Sequence, residues 1–232
     1  MKKLISILLS VLMLACLCGC ESGVDITELI ISSNPTSTED SSITTSAEEQ
    51  PAEFSAGKIE NNVYKNVFLG LSFTASADWT FYTEDQINAL NKQTIDSMNS
   101  DAASLVQNAQ IIYDMYAQNS NNGGNANINL EKFSDLQIST MDVKKTIESQ
   151  FDMLKSTYQN IGFENINIYY DKITVDGKAL DGARLTAEIS DGSVNFYGVI
   201  FCFKKGNYLV NVSLSSILTD KTDDILNCFK FS

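Results

Sequence analysis

Three glycine-bearing turns cut the stretch from Asn165 to Ser215: Asp176-Gly177, Asp191-Gly192 and Lys205-Gly206-Asn207. The runs between them are of similar length and rich in isoleucine, valine, tyrosine and phenylalanine. Glycine and asparagine accept the positive φ that tight hairpins demand, and β-branched and aromatic side chains suit a pleated surface. The spacing predicts an antiparallel meander of four strands: Asn165 to Val175, Ala179 to Ser190, Ser193 to Phe203, and Tyr208 to Ser215. Such a meander commits the chain to a sheet, and the remaining elements must pack on that sheet.

Upstream, Val63 to Leu69 and Leu71 to Ala75 form two short strands broken at Gly70, and Trp79 to Tyr82 extends the sheet. Thr83-Glu84-Asp85-Gln86 fits a capping box and opens a helix with Ile87, Leu90 and Met98 on one side. Ser100 to Asn108 forms a second short helix. Ile111 to Ala117 is a strand that turns through Asn119 to Asn125 and returns with Ile128 and Leu130. From Met141 to Asn160 a long helix carries Val143, Ile147, Phe151, Leu154 and Tyr158 on one stripe, with Gly162 at its C-cap. A last helix spans Asp220 to Phe229 and packs through Ile225, Leu226 and Phe229. The fold class is α+β: a twisted antiparallel sheet flanked by helices.

The N-terminus has a different texture. Lys2 and Lys3 precede an apolar run from Leu4 to Leu14, interrupted only by Ser6 and Ser10. That run is too short for a membrane span of about 20 residues and fits the apolar core of an export signal. Next come Leu17-Cys18-Gly19-Cys20, which resemble the bacterial lipobox; Met13-Leu14-Ala15-Cys16 is a weaker version of the same pattern. The resemblance implies that residues 1–19 are a lipoprotein signal peptide. It also implies that the Cys20 thiolate takes a diacylglyceryl group and becomes the mature N-terminus. Two acyl chains are what stable anchoring takes. Residues 20–58 then read as a Ser/Thr/Glu-rich tether holding both prolines, Pro35 and Pro51, with too little apolar surface to offset its ordering entropy. Residues 59–232 read as a single α+β domain. The localisation implied is extracytoplasmic, on the outer face of the cell membrane of a Gram-positive bacterium.

Within the domain, Asn66-Val67-Phe68-Leu69-Gly70-Leu71-Ser72-Phe73 followed by Trp79 resembles a phrase of the PsbP family, the extrinsic photosystem subunit whose α/β/α sandwich recurs in bacterial lipoproteins. Ser76 and Asp78 stand where exported relatives carry proline and glycine. The resemblance implies a PsbP-like sandwich, a fold also used for protein binding.

Composition removes much of the usual chemistry. The chain has 232 residues, no histidine, and 16 basic against 29 acidic side chains, for a formal charge of -13. Histidine-dependent triads and histidine metal sites are therefore absent, and the acidic balance argues against nucleic acid as a partner. Asp171, Asp176, Asp181 and Asp191 lack calcium-loop spacing, and each of the last three precedes a glycine, as turns require. Ser55-Ala56-Gly57-Lys58 matches S-x-x-K in form but has none of the partner motifs of penicillin-binding enzymes. Trp79 and the Tyr113-Asp114-Met115-Tyr116 patch each fit either core or ligand platform. In the patch, Tyr113 and Met115 are expected on the core face, with Asp114 and Tyr116 on the opposite face; the alternative is that Asp114 is a half-buried hydrogen-bond acceptor. Cys202 and Cys228 are either a disulfide or two small buried hydrophobes.

These features lead to an expectation of a membrane-anchored binding or accessory module with no catalytic residues, cofactor or metal. Its partners would be membrane lipid through Cys20 and a protein or cell-wall component. The alternative is an extracellular hydrolase using Asp/Glu or Ser/Lys chemistry.

Overall fold

A computed structural model describes residues 54–96, 111–121, 123–189 and 194–232. The signal segment, Cys20, the tether as far as residue 53, Met98, the Ser100 to Asn108 helix and the Asp191-Gly192 turn lie outside the described residues. The chain is α+β and mostly strand, in two antiparallel sheets.

The small sheet has the order β1-β2-β3-β11. It contains β1 (Lys58–Glu60), β2 (Val63–Asn66), β3 (Leu71–Thr74) and β11 (Phe229–Phe231). Asn61 and Asn62 make the β1–β2 turn with positive φ at both positions, the geometry that matches strand twist. Gly70, with φ of 62°, makes the break foreseen between β2 and β3.

The large sheet has seven strands in the order β4-β5-β6-β10-β9-β8-β7. These are β4 (Trp79–Phe81), β5 (Ile111–Asn119), β6 (Asn125–Lys132), β7 (Phe163–Val175), β8 (Lys178–Ile189), β9 (Asn195–Lys205) and β10 (Tyr208–Ile217). The predicted meander is therefore present as β7 to β10. Asp176 and Gly177 both take positive φ at its first turn.

Helix α1 (Glu84–Asp96) opens on the foreseen capping box. The Thr83 amide donates to Gln86 Oε1 at 2.9 Å, and the Gln86 amide donates to Thr83 Oγ1 at 3.4 Å. The single helix expected from Met141 to Asn160 is two: α3 (Val143–Glu148) and α4 (Phe151–Asn160). The stripe of Ile147, Leu154 and Tyr158 survives the break because both pieces lie on one apolar cluster. A further helix, α2 (Asp135–Thr140), precedes them with its own capping box of Ser134 and Gln137.

The last helix, α5 (Thr222–Leu226), is shorter than expected. Phe229 is not on it. It belongs to β11, paired with Phe73 of β3.

Two apolar cores lie on the two faces of the large sheet. Between the sheets, Tyr64, Phe73 and Phe229 meet Ile128, Phe201 and Val212, and Ile225 and Leu226 of α5 join them. On the opposite face, Ile138, Ile147, Leu154 and Tyr158 from α2 to α4 cover Leu185, Phe196 and Ile200. The expectation of one sheet with helices on its faces is thus corrected. Helices take one face, while the small sheet with α5 takes the other. The strands that form the small sheet come from the two ends of the domain, so they could not continue the meander and stack on it instead.

Candidate functional site

The positions singled out in the sequence fall into separate places. Trp79 is core: it is buried and meets Phe73 edge-on at 5.2 Å. Cys202 and Cys228 are both free. Cys202 belongs to the helix-side core and Cys228 packs on the intersheet core, so the large sheet separates them. Burial pushes the Cys202 thiol well above its ordinary value, and the thiol donates to Asn211 Oδ1 at 3.1 Å. It is an inert buried side chain.

The acids on β7 and β8 each have a different partner. Asp171 pairs with Arg184 at 3.0 Å, and Arg184 reaches Asp223 at 3.1 Å. Asp181 accepts from Lys172 and Tyr170. Burial works to raise its carboxyl, but these hydrogen bonds outweigh burial and hold it below its ordinary value. Among the described residues no three acids or cysteines converge as metal ligands.

Asp176 accepts from the Phe231 amide at 3.0 Å and from Lys230 at 3.2 Å. The amide first and the lysine second lower its carboxyl below the ordinary 3.8. A depressed folded value means that its contribution to stability is complete above the unfolded value and lost as pH falls through the folded one. We expect the Phe231 amide resonance to titrate with a midpoint below 3.8, and Asp176→Asn to abolish that titration in an NMR pH series.

In the Tyr113 to Tyr116 patch a β-bulge falls between Tyr113 and Met115. Asp114 is the extra residue, so strict alternation fails. Met115 faces the intersheet core as expected. Tyr113 does not; it joins Tyr116 on the other face, packed with Ile87 and Leu90 of α1. Burial raises the Tyr113 hydroxyl above its usual range. The bulge re-aims Asp114 toward the small sheet and not to the face of Tyr116 where strict alternation would put it. There it accepts from the Gly57 amide at 2.8 Å, from Asn66 Nδ2 at 2.6 Å and from the Tyr64 hydroxyl. Asn66 also donates to the Ser55 carbonyl at 3.0 Å. Burial, then the charge of Asp114, raise the Tyr64 hydroxyl far above its ordinary value. Asp114 is a half-buried acceptor, and it ties the segment at Ser55 to Gly57 onto both sheets. Phe54 completes this seat against Phe68 and Tyr208, each 5.7 Å away. Ser55 and Lys58 lie on an open surface groove with Glu60, Lys65 and Val67.

The feature that sequence reasoning missed lies on the helix-side face. Asn125, Asn127, Asn129 and Glu131 alternate along β6, and Asn211, Ser213 and Ser215 alternate along β10. Register sets them side by side: Asn125 opposite Ser215, Asn127 opposite Ser213, Asn129 opposite Asn211. All seven are buried. They form a polar band between the α1–tyrosine cluster on the β5 side and the α2 to α4 core on the β9 side. Within it Asn125 Nδ2 donates to Ser215 Oγ at 2.9 Å and Asn211 Nδ2 donates to Asn129 Oδ1 at 3.3 Å. Asn125 Oδ1 and Asn129 Nδ2 are buried without a hydrogen-bond partner, as is Asn91 Oδ1 on α1. Each such group costs about 1–3 kcal/mol. Polar residues at every second strand position normally mark the solvent face, and the sequence carries no local sign that this face is covered.

No family model matches the sequence. No curated protein matches it either. Among solved structures, the chain is similar to a protein from Bacteroides thetaiotaomicron, with 8% identity and a TM-score of 0.38, over 74% of this chain and 48% of that one. The chain therefore spans about half the length of that protein. It is also similar to LpqN, a protein involved in cell envelope biogenesis of Mycobacterium tuberculosis, with 10% identity and a TM-score of 0.36, over 68% of this chain and 76% of that one.

Proposed function

We propose that this protein is a lipid-anchored, non-catalytic binding or accessory module of the bacterial cell envelope, held outside a Gram-positive membrane through Cys20. The PsbP-like sandwich implied by the Asn66 to Phe73 phrase belongs to the same reading. The observation that carries the binding role is the buried polar band. A fold that keeps the Asn91, Asn125 and Asn129 carboxamides buried and incompletely paired carries a stability cost. A ligand that supplies the missing partners offsets that cost. Anchoring is supported by the lipobox residues Leu17 to Cys20 and by the long Ser/Thr/Glu-rich segment ahead of the domain.

Loss of Cys20 tests the anchor. Cys20→Ala is expected to move the protein from the membrane fraction to the medium, or to leave it at precursor size on a denaturing gel. A Cys20→Ala chain that stays in the membrane fraction at mature, lipidated size contradicts the reading. Crosslinking on intact cells, followed by identification of neighbours, tests for a protein or cell-wall partner.

A further inference from the structure

We propose that the outer face of the small sheet docks on an anionic phospholipid surface. This rests on the lipid-anchored reading of the chain and names the surface that the anchored domain meets.

Register assembles the face. Lys58 of β1 pairs with Lys65 of β2, Lys65 with Ser72 of β3, and Ser72 with Lys230 of β11. Residues paired across antiparallel strands share a face, so one row across four strands carries three lysines and a serine. Their neighbours Tyr64, Phe73 and Phe229 point the other way, into the intersheet core. All three lysines are exposed.

Charge selects an anion. Like charges directly opposite each other destabilise a sheet. Among the described residues Lys58 and Lys65 enter no ion pair that relieves this. Lys178 adds a cation beside β11, with its ammonium 4.2 Å from the centre of the Phe231 ring. Two acids border the row: Asp176 accepts from Lys230, and Glu60 lies two residues from Lys58. The face is therefore positive on a chain whose formal charge is -13. At physiological ionic strength charges are screened beyond about 8 Å. A surface touching the row meets its lysines rather than the acids on the far side of the domain.

Apolar contact selects a lipid surface. Val67 follows Lys65 beyond the end of β2 and is 78% exposed, more than any other large apolar side chain among the described residues. It lines the same open groove as Lys58 and Lys65. A soluble anion would pair with the lysines and leave Val67 in water. A phospholipid surface takes both, because phosphates meet the ammonium groups and the apolar side chain reaches the headgroup–acyl boundary.

Connectivity brings this face to the bilayer. Residues 20–53 lead directly into it: Phe54 is seated on Phe68 and Tyr208, and Ser55 and Lys58 line the groove. With Cys20 in the membrane, the row lies at the root of the tether. Docking is then intramolecular, and a modest affinity for lipid suffices. The helical layer α2 to α4, on the other face of the large sheet, is turned away from the lipid.

The test uses the full mature chain, residues 20–232, carrying Cys20→Ala so that no acyl chain contributes. It is floated with vesicles of equal parts phosphatidylglycerol and phosphatidylcholine, and with vesicles of phosphatidylcholine alone. Long-chain polyphosphate is titrated beside them. The chain is expected to bind the anionic vesicles at low ionic strength, to leave them as salt rises, and to ignore the neutral ones. A lysine near an anionic surface changes binding about fivefold, so Lys58→Gln with Lys65→Gln is expected to weaken it roughly 25-fold. Lys145→Gln with Lys155→Gln, exposed on the helical layer, is expected to change nothing. Equal melting temperatures show that both double variants fold. Val67→Trp adds an indole at the contact, and its emission is expected to shift to the blue on anionic vesicles, while the buried Trp79 stays silent.

The proposal is overturned if the anionic vesicles do not bind, if neutral vesicles bind as well, or if the two lysine pairs weaken binding equally. Tighter binding to polyphosphate, phosphate for phosphate, overturns it in favour of a soluble polymer. Self-association that is lost with Lys58 and Lys65, without vesicle binding, overturns it in favour of a second copy. The two readings fail separately. Vesicle binding by the unlipidated chain, with no retention of the native chain on cell membranes, removes the anchor and keeps the face. Retention through a high-salt wash, with no vesicle binding, does the reverse.

Discussion

Replacing Phe229 with alanine is expected to destabilise the domain by about 3–5 kcal/mol, the range for deleting a buried aromatic side chain. Phe229 is fully buried and touches both sheets: its ring lies 4.7 Å from Phe73 in the small sheet and 5.8 Å from Phe201 in the large one. No neighbour can collapse into the gap without leaving its own strand. A loss of that size is a large part of the roughly 5–15 kcal/mol that holds a typical domain folded. Urea unfolding followed by circular dichroism should show it as a lower midpoint at unchanged slope. Removing residues 229–232 should be worse, because it uncovers Leu71 and Phe73 and strips β3 of a partner strand. A Phe229→Ala midpoint within about 1 kcal/mol of the native one contradicts this account of the intersheet core.

The second large effect is expected at Asp114. Asp114→Ala removes an acceptor from three donors at once, the Gly57 amide, Asn66 Nδ2 and the Tyr64 hydroxyl. Hydrogen bonds to a charged group are worth about 1.5–3 kcal/mol each, and the buried Tyr64 hydroxyl is left without its partner. Because Asp114 is itself only half-buried, water recovers part of the loss. We expect a net cost of about 3 kcal/mol. Asp114→Asn keeps an acceptor and should cost less. Tyr64→Phe tests the pairing: in a double-mutant cycle with Asp114→Ala, the two effects should add to less than their sum. Full additivity contradicts a direct contact. Hydrogen exchange at Gly57 should quicken in Asp114→Ala, since its amide loses its acceptor.

Local chemistry explains which parts of this fold were legible in the sequence. The meander was, because its turns rest on residues such as Asp176 and Gly177 whose conformation is fixed within a few positions. So was the start of α1, where Thr83 and Gln86 satisfy each other. The stripe of Ile147, Leu154 and Tyr158 located the helical layer, but the break at Ser149 and Gln150 did not show. Gln150 opens α4 without a side-chain cap, so no cap residue marks the start of the second helix. β11 was invisible for another reason. Phe229-Lys230-Phe231 alternates over only three residues, and the strand it pairs with lies at Leu71 to Phe73.

The polar band was concealed by a pattern that normally has one meaning. Along β6, Ile128 and Leu130 alternate with asparagines, as on a strand wet on one side. Whether that second face is wet depends on α1 and on the neighbouring helices, which lie elsewhere in the sequence. The Asp114 seat was half legible. Its acidic residue among aromatics stood out, but the bulge that turns it toward Tyr64 left no mark in the residue types.

The placement of β11 also sets the order of events when the chain is made. β3 emerges early and must wait for its outer neighbour, since Ser72 and Lys230 meet across 158 residues. The meander from β7 to β10 needs only local turns and can close while the ribosome is still working. Its intersheet face is completed only once β11 has been made. For that interval Phe201 and Val212 lack Phe229, and a bare apolar sheet face invites wrong partners. Completion of this half therefore waits on β11 rather than on the meander. A chain interrupted before Phe229 would carry the whole meander and still present that uncovered face.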